Sequence, residues 1–400
     1  MIYRRNSSQY VNEGDVVGSP VRGWQAAGSP QKDLQQSSFG SSLGEAGGIK
    51  EAQQGLLVRY SSQEEDEVRD AYVRAHERST VFHLSSWSTA VESAFHAERR
   101  DLIATEGGRI VGMLPLSKCR RAIGGSNWIS APWGVYGGPI ADRQEIAQAL
   151  VDAAMERARE ADARRLDLRC LEDPNIPGLV KSNLYVTFRK ALPATAEEVQ
   201  GTFPRTERKY LRHAVERHGL SFEEGHGYLS DLHRLFLTSK RSLGSPGLPS
   251  AWWDALESQD GLDYVLHAAH RGSEVLAVTL TFLHKKEAAM YYVGTTPDAN
   301  LKYHATTFLI AKCMEWSVEN GYELFDLGRS RRDSGACTFK INQGFEPTPL
   351  NYRHALLSSD AKVPSFTPSN PKTALLRKTW SWLPLWACGS LSTRLAIFLP

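Results

Sequence analysis

Arg205, Arg208, Lys209 and Arg212 fall at i, i+3, i+4 and i+7, a spacing that sets four cations on one face of a helix stopped near Gly219. Such a stripe can hold the phosphates of a nucleotide-linked acceptor or of tRNA; it can equally be a solvated helix face. A second cluster closes a short apolar strand, Leu324-Phe325-Asp326-Leu327. Gly328 and Arg329 stand just past that strand, where α/β sheets bind anionic substrates. An ion pair from Arg329 to Asp326 or Asp333 is the competing role. Asp326 suits orientation of an acceptor amine, or the plainer task of accepting backbone hydrogen bonds at a strand end. From spacing alone, Phe339-Lys340 is a core ring beside a surface lysine. The histidines form no HExxH or comparable ligand set and no P-loop is present, so neither a metal nor a covalent nucleophile is expected.

These residues need a scaffold, and 400 residues suit two or three domains. The scaffold reads as a repeat. Leu102 to Leu116 is a pair of apolar strands split by Gly107-Gly108, and Tyr264 to Leu280 follows the same design around Gly272. Further strands follow, Trp128 to Ser130 in the first copy and Ala289 to Val293 in the second. Helical stripes come next: Ile146, Leu150, Ala153 and Ala154, then Ala305, Leu309, Cys313 and Trp316, the latter stopped by Asn320-Gly321. Leu166 to Leu168 and Leu324 to Leu327 close the copies. The shared order implies duplication of one α/β unit. The expected domains are 55–200 and 201–356, behind a disordered Ser/Gly/Gln-rich leader, 1–54, and before an amphipathic, helical C-terminal tail, 357–400.

Charge is nearly balanced, 47 Lys plus Arg against 45 Asp plus Glu, which argues against a generally basic nucleic-acid binder. Five scattered cysteines without CxxC spacing suit reduced thiols in the cytoplasm. No apolar run follows the basic Met1 to Asn6 and none reaches a membrane span, so neither a secretory signal nor a spanning helix is expected.

The strand–hairpin–strand–helix–strand order resembles the Gcn5-related acetyltransferase (GNAT) domain, and two in tandem resemble the Fem-like (FemAB) aminoacyltransferases. The specific likeness is Leu324-Phe325-Asp326-Leu327-Gly328-Arg329-Ser330 followed by Thr338-Phe339-Lys340-Ile341-Asn342-Gln343-Gly344-Phe345. It spans 56–356 in organisation and about 200–356 in motifs. Asn370-Pro371-Lys372 and Leu383-Pro384-Leu385 in the tail are similar to a subgroup associated with exosortase and exopolysaccharide systems. The resemblance implies acyl transfer in cell-envelope polysaccharide or peptidoglycan-related biosynthesis, with Lys340 as the cation facing the reacting acyl oxygen, Phe339 beside it and Asp326 as a third catalytic group. It implies substrate contacts at Gly328, Arg329 and Ser330, and places Tyr291, Tyr292, Lys302 and His304 where a GNAT fold opens its central cleft.

The implied partners are an activated acyl donor, aminoacyl-tRNA or acyl-CoA, and a nucleotide- or lipid-linked glycan acceptor; no bound cofactor is implied. Asp298 to Ala305 lacks the glycine turn that holds the CoA pyrophosphate in acetyl-CoA-using domains. An acyl-CoA-dependent N- or O-acetyltransferase and a non-catalytic glycan- or partner-binding module remain as alternatives. The tail, with Lys372, Arg377, Lys378, Trp380, Trp382 and Trp386, either packs on the second domain or lies on the inner face of the plasma membrane.

Overall fold

The computed structural model describes residues 55–364 and 371–400, so the expected leader lies outside the described residues. The first copy opens with β1 (Leu57–Tyr60), α1 (Asp66–Ala75) and α2 (Ser85–Phe95). A run of strands follows: β2 (Glu98–Arg99), β3 (Leu102–Glu106), β4 (Arg109–Leu114), β5 (Ser117–Arg120), β6 (Ser126–Ile129) and β7 (Ile140–Ala141). Then come α3 (Gln144–Glu160) and β8 (Ala163–Leu168). Three short strands link the copies: β9 (Val180–Lys181), β10 (Tyr185–Thr187) and β11 (Arg189–Ala191).

The second copy holds α4 (Arg205–Arg212), β12 (Leu220–Glu224), α5 (Leu229–Ser242) and α6 (Ser250–Glu257). Its long meander is β13 (Tyr264–Arg271), β14 (Glu274–His284) and β15 (Glu287–Thr295). After it come α7 (Pro297–Tyr303), α8 (Ala305–Glu319), β16 (Leu324–Asp326), β17 (Ser330–Arg331), α9 (Gly335–Asn342), β18 (Thr348–Pro349) and β19 (Arg353–Leu356). The tail forms α10 (Pro371–Trp382) and α11 (Leu385–Leu395).

The hairpins form where the sequence places them. Gly107 and Gly108 both take positive φ, +56° and +79°, the conformation a two-residue turn between twisted strands requires. Helix α3 turns Ile146, Leu150, Ala154 and Ala158 inward at four-residue spacing. It lies so close to β4 that a Cβ on Gly112 would meet Ile146 at 2.8 Å. Helix α8 ends as its residues dictate: Gly321 takes φ +78° and the Tyr322 N–H returns to the Ser317 carbonyl at 2.9 Å.

The copies are joined by two devices. One is an aromatic core, in which Trp252 of the second copy meets Phe95 at 5.1 Å and Trp87 edge-on at 5.2 Å. Rings of this size stabilise by roughly 2–3 kcal/mol each through burial. The other device is an exchange of strands across the expected boundary at 200/201. In the six-stranded sheet of the second copy, order β11-β16-β15-β14-β13-β12, the outer strand β11 comes from before residue 200. In the first copy's sheet, order β2-β5-β6-β8-β19-β9, strand β19 comes from the far end of the second copy. Domains cut from sequence at that boundary therefore share their sheets in space. Each exchanged strand covers an otherwise unpaired edge, of β16 and of β8.

Candidate active site

Strands β15 and β16 pair in parallel only over Glu287–Ala289 and Leu324–Asp326. Beyond that point β15 runs on to Thr295, while the chain after β16 turns away at Leu327 and Gly328, where φ is +66°. The parted strands leave a cleft of about 340 Å³. Tyr291 and Tyr292 line it from one strand, Leu327, Gly328 and Arg329 from the other, with Lys340 below and Lys240 of α5 opposite. Helix α5 reaches this place because Gly294 lets it lie directly on β15; a Cβ there would stand 2.7 Å from the Phe236 amide.

Ser334 caps α9, its Oγ accepting the Cys337 N–H at 3.2 Å, and the helix brings Lys340 beneath the turn after β16. The Lys340 ammonium donates to the carbonyls of Leu327 at 2.6 Å, Gly328 at 3.0 Å and Arg329 at 3.2 Å. An ammonium has three protons, and all three are engaged. Burial pushes its pKa down to about 8, partly offset by Asp326. Phe339 is half-buried against the second copy's core. Lys340 thus fixes the Gly328–Arg329 turn and places a positive charge under the cleft.

Asp326 is fully buried and its Oδ1 accepts the Gly328 N–H at 2.6 Å, so it too holds this turn. Behind it Arg189 pairs with Glu287 and lies 3.8 Å from Asp326 Oδ2. Burial raises both carboxyls, and the Asp326 charge adds to the rise at Glu287. Glu287 lines a larger cavity of about 600 Å³ with His83 and His284. Burial pushes those imidazoles down to about 4 and about 3, so both are neutral. That cavity lies where β15 and β16 are still paired and mixes Glu287 and other carboxylates with its cations; the smaller cleft lies where the strands part, and its charged side chains are Lys240, Arg329 and Lys340.

Arg329 is half-buried with its guanidinium 4.9 Å from the Tyr185 ring and 3.2 Å from the Tyr352 hydroxyl. Among the described residues no carboxylate pairs with it, so the expected competing ion pair with Asp326 or Asp333 does not form. Ser330 is buried in β17, opposite Val186. Tyr291 donates its hydroxyl to the Trp133 carbonyl at 2.7 Å.

The remaining expected residues lie elsewhere. Lys302 is exposed on α7 and pairs with Asp298 at 2.8 Å. His304 takes a left-handed conformation between α7 and α8 and stacks on Tyr210 at 4.1 Å. Neither lines the cleft, because the residues between β15 and α8 fold into a short helix that carries them outward. The same insertion fills the N-terminus of α8, whose Thr306 N–H bonds Asn300 Oδ1 at 3.1 Å. Arg205, Arg208, Lys209 and Arg212 do share an exposed face, which lines a separate cavity of about 560 Å³ beside α8.

Sequence reasoning missed Lys240, although its spacing of four after Leu232 and Phe236 sets a lysine on an apolar face. It also missed Trp133 and Val135, which the first copy contributes to the cleft wall. That segment plugs its own copy. Gly137 N–H bonds the Arg169 carbonyl at 2.8 Å, and the buried Arg169 guanidinium donates to the carbonyls of Ala131 and Gly134.

Residues 202–340 match the model of an acetyltransferase (GNAT) domain, and residues 64–179 match that of the acetyltransferase (GNAT) family. The fold is similar to that of FemX, at 13% identity and a TM-score of 0.57, covering 74% of this chain and 96% of that one. It is also similar to the C-terminal domain of a putative lysylphosphatidylglycerol synthetase from Agrobacterium fabrum, at 20% identity and a TM-score of 0.50, covering 73% and 91% of the two chains. No curated protein matches the sequence. The class that fold and cleft define is a tandem-GNAT acyltransferase: the chain carries two GNAT domains, with the open cleft in the second.

Proposed function

We propose that the cleft between β15 and β16 transfers an acyl group, of aminoacyl type, to an amine or hydroxyl of a nucleotide- or lipid-linked glycan precursor in cell-envelope polysaccharide or peptidoglycan-related biosynthesis. The supporting observation is charge: Lys240, Arg329 and Lys340 line the cleft and no Asp or Glu side chain does. Such a site favours phosphate-bearing substrates and the oxyanion of a tetrahedral intermediate. In the step itself the acceptor's nitrogen or oxygen bonds the acyl carbon and the donor's ester C–O bond breaks. The acceptor's proton leaves with the departing hydroxyl. Arg329 has unused N–H groups to offer the oxyanion or a phosphate, while Lys340 acts through its field and through the turn it holds. Asn300 of α7, whose Oδ1 takes the Thr306 N–H at the start of α8, disfavours a CoA pyrophosphate there.

A CoA thioester donor is the second reading, favoured by the match of both halves to acetyltransferase models. Calorimetry with CoA separates the two. The direct test supplies aminoacyl-tRNA and isolated envelope precursors and follows the acyl mass added. Arg329→Gln should lower kcat/KM by roughly a hundredfold; an unchanged value sinks the assignment of this cleft.

A further inference from the structure

The C-terminal helices carry a surface that the acyl cleft does not use. Residues 371–400 contain four Lys or Arg, no Asp or Glu, three Trp and seven Leu. Helix α11 is held to the body by Cys388 and Ser392, both buried, and Ser392 Oγ accepts the Gly247 N–H at 2.9 Å. The opposite character shows outside: Leu375 is 72% exposed, Trp382 68% and Trp386 76%. Leu243, 66% exposed, stands next to this surface, because Gly244 approaches Arg377 so closely that a Cβ would lie 2.6 Å from the Arg377 carbonyl oxygen. A water-facing concentration of large apolar side chains marks a docking surface rather than a solvated one.

Charge decides between occupants. Protein interfaces are depleted of Lys, whereas Trp and Leu mixed with Lys and Arg, with no acid, match the headgroup region of an anionic bilayer. Lys378 illustrates the mixture, its ammonium 5.2 Å from the Trp382 ring. The segment also leads into the cleft, which Ala396, Leu399 and Pro400 help to line. We propose that α10 and α11 dock on an anionic lipid surface, presenting the cleft beside that surface. The docking stands on the tail alone; its bearing on acyl transfer rests on the function proposed above.

Flotation of the full chain tests it, with vesicles of phosphatidylcholine alone and vesicles containing phosphatidylglycerol. The protein should float with the anionic vesicles and be released by high salt. Leu375→Ser/Trp382→Ser/Trp386→Ser, all at exposed positions, should lower bound protein at least about tenfold without changing the melting temperature. Lys378→Gln/Arg394→Gln should lower it on anionic vesicles only. Protein that stays in the dense fraction, or a triple variant that floats as the parent does, overturns the proposal. So does a parent dimer that the triple variant dissociates in the absence of any flotation, since the face would then join two copies. Flotation reads no turnover, so a failed acyl-transfer assay leaves this result standing, and the reverse holds.

Discussion

Replacing Lys340 by Met keeps the length of the side chain and removes only its ammonium. Three carbonyl oxygens within 3.2 Å lose their donor. A hydrogen bond to a charged group contributes about 1.5–3 kcal/mol, and each buried acceptor left unmatched costs about 1–3 kcal/mol. The opposing gain is the charge no longer buried, whose cost is expressed in the lowered pKa of about 8. The balance is a loss of about 2–4 kcal/mol, felt at the turn that carries Arg329. Turnover should fall about a hundred- to a thousandfold, the usual effect of removing one fixed electrostatic group. Urea unfolding and turnover at saturating donor measure the two effects. The pH profile separates cation from base. Lys340 is charged below its pKa of about 8, so a cation's contribution declines tenfold per pH unit above that value. Its stability contribution runs the other way: between about 8 and the ordinary 10.5 the unfolded chain retains a proton that the folded one has released, so this group's share of stability rises with pH. Wild-type turnover in Lys340→Met, or turnover climbing tenfold per unit up to pH 8, refutes the cation.

Two further expectations concern groups away from the cleft. Neutralising Arg205, Arg208, Lys209 and Arg212 together should leave transfer to small acceptors within about twofold, because they line a separate cavity, while weakening tRNA binding in a salt-dependent way if that cavity holds tRNA; equal tRNA affinity at low salt removes them from donor binding. All five cysteines are free and buried, and burial pushes the Cys119 and Cys170 thiols up to about 12. None should react with a disulfide reagent at pH 8 until the chain is unfolded, and rapid labelling of the native protein would contradict the packing.

Local pattern made half of this structure legible. The hairpins, α3, α8 and β16 follow from alternation, four-residue apolar spacing and the glycines that end them, all contained within a few residues. Arg329 and Gly328, which line the cleft, were singled out the same way, through their place at a strand end. What pattern could not supply was pairing over distance: that β11 and β19 change sheets, that Trp133 of one copy walls the cleft of the other, and that the tail returns to the same cleft. Nor could it show the ring of carbonyls about Lys340, which exists only once α9 has packed beneath the turn. Lys302 and His304 illustrate the converse. A general fold sets them at the cleft, but Thr296 and Pro297 start a helix in this chain, and that local rule carries them to the surface.

Strand β19 is the outer partner of β8, so the first sheet keeps a bare edge until residues 353–356 have left the ribosome, long after β8 itself. Neither half can be finished while the other is missing. The two ancestral units have become mutual chaperones: each guards the aggregation-prone border of its twin, and a gene cut at the midpoint would yield two fragments with sticky margins instead of two enzymes.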